Sequence, residues 1–262
     1  MTIKLRDGKQ LNVRRSGNGI PLVMIHGFGG YQQIWTDQWP LIDRLSLMGI
    51  SYDLRDHGAS SRDPHLTKIR TLIDDLAELL QAYQLDRPIL MGHSMGASII
   101  YGLMQLYPEI DLRGVIAIDQ SPKMISSPTW SYGYCGATRA NYRLLLQTRG
   151  NISETYQGLD SKVLNQLAIA KDQFPFDRRE HLSLLYDHAR QDWRVGLVTT
   201  TTPTLLVTGQ YSPYFNGDFA ETLKTKNASL QHVIVRQSGH CPMAEQPAIF
   251  NEVISNFLQS LD

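Results

Sequence analysis

The chain has 262 residues, 42% of them hydrophobic and 19% charged, proportions that suit one large globular α/β domain with room for an inserted subdomain. Its 25 basic and 25 acidic residues cancel, which argues against a nucleic-acid or anionic-membrane partner. Two cysteines, Cys135 and Cys241, form neither a metal pattern nor a disulfide framework, and no apolar run reaches membrane-spanning length.

The first residues, MTIKLRDGKQLNV, read as a hairpin over 3–15 turned by Asp7-Gly8; they lack the apolar region of a signal peptide, and a cytoplasmic setting is expected. A buried strand follows at 22–25, then the loop His26-Gly27-Phe28-Gly29-Gly30 and a helix carrying Trp35 and Trp39. The next strand, 50–54, runs into Arg55-Asp56-His57-Gly58. Leu72, Ile73, Leu76, Leu79 and Leu80 keep i, i+3, i+4 spacing and predict an amphipathic helix over 67–84. Further apolar strands are expected at 88–91, 115–118, 205–207 and 231–235, with a closing helix over 247–260. Short buried strands alternating with helices predict an α/β fold, a mostly parallel sheet covered on both faces. Residues 122–198 break the alternation: helical runs at 142–147, 163–169 and 179–189 and many aromatics mark an inserted helical cap, leaving 1–121 and 199–262 as the core.

The most informative stretch is PILMGHSMGAS at 88–98. An apolar strand ends in Gly92-His93-Ser94-Met95-Gly96 and a helix of small residues follows, the pattern of a strand–turn–helix elbow that exposes a serine hydroxyl. Side chains at Gly92 and Gly96 would collide across such a turn.

With His26-Gly27-Phe28-Gly29-Gly30, Asp53-Leu54-Arg55-Asp56-His57-Gly58, the elbow, and Ser238-Gly239-His240-Cys241-Pro242 before Glu245-Gln246-Pro247, the chain resembles the α/β-hydrolase superfamily nearly end to end. The resemblance implies that Ser94 is the nucleophile, His240 the base, and the backbone N–H groups of Phe28 and Met95 the oxyanion hole. His26 and His57 resemble loop-shaping positions. His93 should turn away from substrate, while His65, His181, His188 and His232 read as surface or core-satisfied residues.

The acid departs from the usual pattern. Thr208-Gly209-Gln210-Tyr211-Ser212-Pro213 carries Ser212 where the superfamily places an Asp. Asp119, after the strand at 115–118, is the first choice, and Asp218, which looks like a helix-start residue, the second. The implied activity is a cofactor-independent serine hydrolase, a carboxylesterase for small to medium apolar esters. The Ser nucleophile argues against dehalogenase and epoxide-hydrolase chemistry, which use Asp. C–C hydrolase or perhydrolase chemistry on the same triad, or a weakly hydrolytic ligand receptor, are the alternatives, the last drawing on Ser212.

Overall fold

Eight strands form one sheet in the computed structural model, which describes residues 1–148 and 152–261. β1 (Thr2–Lys4) and β2 (Gln10–Ser16) make the amino-terminal hairpin, and β2 runs antiparallel to β4 (Met48–Tyr52). β3 (Pro21–Ile25), β5 (Ile89–His93), β6 (Gly114–Ile118), β7 (Thr204–Gly209) and β8 (Leu230–Val235) complete a parallel set with β4, in the order β1-β2-β4-β3-β5-β6-β7-β8.

The central strands are apolar on both sides because both faces of the sheet are covered. Leu22 and Met24 of β3 lie with Ile116, Ile118, Trp35, Trp39, Phe250 and Ile254 on one face, beneath α1 (Trp39–Arg44) and α10 (Pro247–Gln259). Val23 and Ile25 lie with Leu90, Val115, Leu76 and Ile99 on the other, beneath α2 (Ile69–Ala82) and α3 (Met95–Leu106). The period-two side-chain alternation of a strand thus feeds two separate cores.

One expected helix is two. Gln32–Gln38, with Trp35, is a 3-10 helix, and Trp39 begins α1. Pro40 has no N–H to offer the preceding turn, so the helical ladder restarts there.

Between β6 and β7 lie a 3-10 turn (Tyr134–Gly136), α4 (Tyr142–Thr148), α5 (Ser161–Gln173), α6 (Leu182–Ala189) and α7 (Arg194–Thr199). Several side-chain links fasten this segment to the rest. His181 meets Asp56 at 2.8 Å, Lys68 meets Asp187 at 2.9 Å, and Phe176 stacks between the rings of His57 and His181 at 4.6 and 4.2 Å. α8 (Asp218–Lys224) and α9 (Pro242–Glu245) flank β8. No helix among the described residues is long and apolar enough to cross a membrane.

Candidate active site

The strand order reverses direction between β3 and β5, and the crevice outside the carboxyl ends of such strands is where open α/β sheets bind ligands. Ser94 follows the last residue of β5 there and caps α3 with φ 54° and ψ −123°, a left-handed conformation unusual for serine. The turn needs glycine: a Cβ on Gly96 would sit 2.2 Å from the Ile25 carbonyl oxygen. Such backbone strain clusters at functional sites, where it fixes a side chain in place. The Ser94 N–H donates to the Ile118 carbonyl at 2.9 Å, and the Asp119 N–H to the Val207 carbonyl at 2.7 Å. Each residue continues its strand's ladder by one step, so Ser94 and Asp119 emerge at one sheet edge.

Asp119 is fully buried, and its partners account for both carboxylate oxygens. Oδ1 accepts from the Gly209 N–H at 3.1 Å. Oδ2 accepts from His240 Nδ1 at 2.6 Å and from the Ser212 hydroxyl at 2.5 Å. Asp218 is elsewhere: it opens α8, and its Oδ2 accepts from Asn216 Nδ2 at 2.7 Å. Burial disfavours a charged His240 ring. The hydrogen bond and charge of Asp119, with Glu154 and Glu245 beyond, outweigh it and hold the ring's pKa above its ordinary 6.5. His93 Nε2 donates to the His240 carbonyl at 2.9 Å, and the two imidazoles lie 4.5 Å apart.

The loop after β3 is set by two neutral histidines. Burial first, then the neighbouring His26, push the His57 pKa well below 6.5, so its Nδ1–H donates to the Arg55 carbonyl at 2.9 Å and Nε2 accepts the Gly29 N–H at 3.1 Å. Burial likewise lowers His26, whose Nε2 accepts the Leu54 N–H at 3.0 Å while Nδ1–H donates to the Gly27 carbonyl at 2.7 Å. Phe28 is thereby held over the cavity that Ser94 and Met95 also border. The Met95 N–H is the first of α3, and such a group has no acceptor within its own helix.

Three further residues matter to which the sequence gives no role at the site. Glu245 is a clamp: Oε1 accepts the Gly239 and Cys241 N–H groups at 2.9 and 3.1 Å, on either side of His240, and Oε2 accepts the Tyr156 N–H at 2.7 Å. Its place just after the Gly-His motif was the one available signal. His188, expected to be a surface or core-satisfied residue, is buried and only half satisfied. Nε2 shares a hydrogen bond with Ser98 Oγ at 2.8 Å, while the buried Nδ1 has no partner, and burial lowers the ring's pKa to about 4. The third, Arg178, reaches the same space from the loop before α6.

Two cavities meet at Ser94 and His240. One, of about 50 Å³, is bordered by Phe28, Met95, Gln120, Arg178 and His188. The other, of about 460 Å³, runs past Tyr31, Ile34, Leu159, Leu164 and Leu167, with Lys171 on its wall.

The chain is similar to known proteins along nearly its whole length. A model of the Alpha/beta hydrolase family matches residues 22–253. The AB hydrolase superfamily protein YisY of Bacillus subtilis (strain 168) is 24% identical, over 98% of this chain and 98% of its own length. Esterase YbfF of Escherichia coli (strain K12) is 23% identical, over 95% of this chain and 99% of its own. Among solved structures, an esterase (EaEST) from Exiguobacterium antarcticum superposes with a TM-score of 0.83 at 20% identity, covering 98% of each chain, a likeness of fold alone. With a family match running from β3 into α10, the chain belongs to the alpha/beta hydrolase family.

Proposed function

We propose that this hydrolase is a serine carboxylesterase working through an acyl-enzyme on Ser94. The observation that carries the reading is the 2.6 Å contact between His240 Nδ1 and Asp119 Oδ2, which leaves Nε2 as the free ring nitrogen in the cavity wall that His240 shares with Ser94. In this reading the Ser94 oxygen attacks the ester carbonyl carbon as its proton passes to His240 Nε2. The carbonyl becomes an oxyanion facing the Phe28 and Met95 N–H groups, each worth about 3 kcal/mol when such a donor is removed elsewhere. The intermediate collapses, the His240 proton leaves with the alcohol, and an ester to Ser94 remains. Water, deprotonated by His240, then releases the carboxylic acid and restores the serine. Asp119 keeps the imidazole in the tautomer with Nδ1–H and supports its charged form.

Residues 122–198 act here as a cap, and the apolar 460 Å³ cavity suits the hydrocarbon part of a small to medium ester. The receptor alternative draws on Ser212; the contact of the Asp119 carboxylate with His240 supports the hydrolytic reading over it. The test is hydrolysis of p-nitrophenyl esters of rising acyl length beside labelling by a fluorophosphonate. Turnover with labelling of Ser94 is the expected result. Rapid labelling with no turnover of any ester would favour a receptor, and neither labelling nor turnover would refute the mechanism.

A further inference from the structure

The 50 Å³ cavity beside Ser94 is not a plain acyl pocket, because two of the residues on its wall each carry a buried nitrogen without a partner. Arg178 lies with its guanidinium carbon 5.4 Å above the Phe28 ring and donates one Nη2–H to the Leu146 carbonyl at 2.8 Å. Its buried Nε has no acceptor, and among the described residues no carboxylate pairs with it. Arg178 as a whole is half-buried, but this Nε is shielded from water, and a shielded donor without an acceptor is unfavourable until a ligand supplies one. His188, 3% exposed, contributes the second orphan, Nδ1. Because Ser98 can either give or take the proton it shares with Nε2, the neutral ring is free to present Nδ1–H to a ligand. Glu154 is the other charged neighbour of the cavity; it is exposed, and its Oε1 accepts from the Tyr214 hydroxyl at 2.8 Å.

We propose that this small cavity binds the free carboxylate of a short dicarboxylic half-ester, with Arg178 as counter-ion and His188 Nδ1–H as second donor. The alcohol part then lies in the larger apolar cavity. This rests on the esterase reading and names its substrate class. The reaction consumes water and yields a short dicarboxylate and an alcohol.

Malonate and malonamide are the probes, since they share a three-carbon chain and differ in that only malonate carries carboxylates. Isothermal titration of the wild-type protein should show malonate binding at least about tenfold tighter, the increment of one charge-assisted pair. Malonate should also slow fluorophosphonate labelling of Ser94. Arg178→Met should bring malonate to the level of malonamide, and His188→Gln should weaken it several-fold. Equal binding of the two compounds by wild type, or a preference that survives Arg178→Met, overturns the proposal. If Arg178→Met does not fold, the wild-type comparison decides alone. Hydrolysis of p-nitrophenyl acetate is measured separately: its absence counts against the esterase reading, and the malonate titration still decides the anion site.

Discussion

The Ser212 hydroxyl and the His240 ring meet on one atom, Oδ2 of Asp119. The loop after β7, where the family resemblance places the acid, holds a serine that bonds to a carboxylate supplied by β6. In the proposed triad the acid therefore sits one strand over, and Ser212, in its usual place, hydrogen-bonds to it.

Asp119→Asn should cut kcat by up to about 10⁴-fold, as loss of the correct imidazole tautomer does in serine proteases. Adding Ser212→Asp to that variant should recover at least about tenfold, because neighbouring changes on one network are not additive. Ser212→Ala alone should cost about fivefold, the worth of roughly 1 kcal/mol of hydrogen bond. Silence of Asp119→Asn, or a comparable loss in Asp218→Asn, would contradict the assignment.

Ser94→Ala should lower esterase activity by about 10³-fold or more with an unchanged unfolding midpoint, since residues of such a constellation act as a unit. The same variant should resist the fluorophosphonate. Retained turnover would place the chemistry on another side chain.

The pH profile should show two opposed effects. His240 must be neutral to accept the serine proton, so kcat/KM should rise with pH through a value above 6.5 and shift down in Asp119→Asn. Because its folded pKa is raised, His240 adds stability that is full below 6.5 and is lost as pH rises through the folded value. His57, His93 and His188 have lowered pKa values, chiefly through burial, and behave oppositely. Their contribution is full above 6.5 and lost as pH falls, for His188 down to about 4. Each can add about 1.4 kcal/mol per pH unit in that window. Melting curves from pH 8 to 4.5 should show the midpoint falling steeply on the acid side; a flat profile would contradict buried neutral rings.

Gly209→Ala should abolish activity and lower the midpoint. A Cβ there would sit 1.7 Å from the Gly239 carbonyl oxygen, within the turn that delivers His240. The backbone must move, and His240 with it. Wild-type turnover in this variant would show that the turn tolerates displacement.

Much of this arrangement is legible from pattern alone. Apolar runs such as Leu22–Ile25 and Val115–Ile118 mark buried strands because both sheet faces are covered, and the ladder from Ile118 to Val207 makes the position after each strand an edge position. What the residues do not announce is side-chain bonding to distant backbone. Glu245 acts on Gly239, Cys241 and Tyr156 through a fold that brings 156 beside 245. The half-satisfied state of His188 depends on Ser98, ninety positions away, and on a cavity no periodicity encodes. Pro40 marks the break between the 3-10 helix and α1, yet Trp35 and Trp39 share an i, i+4 spacing that also suits one continuous helix.

The stretch at 154–156 has a consequence for traffic. Its Glu154 carbonyl takes the His240 N–H at 2.7 Å, and its Tyr156 N–H is held by the same Glu245 that grips the residues beside His240. Lifting that stretch to widen the entrance would strip His240, the proposed base, of its backbone anchor, so a door on this side would disarm the proposed mechanism whenever it opened. In that mechanism substrate would instead come and go along the α5 wall, past Leu164 and Leu167, which line the larger cavity. The site would then stay poised for chemistry throughout loading, with its tolerance for bulky esters set by how far α5 can yield.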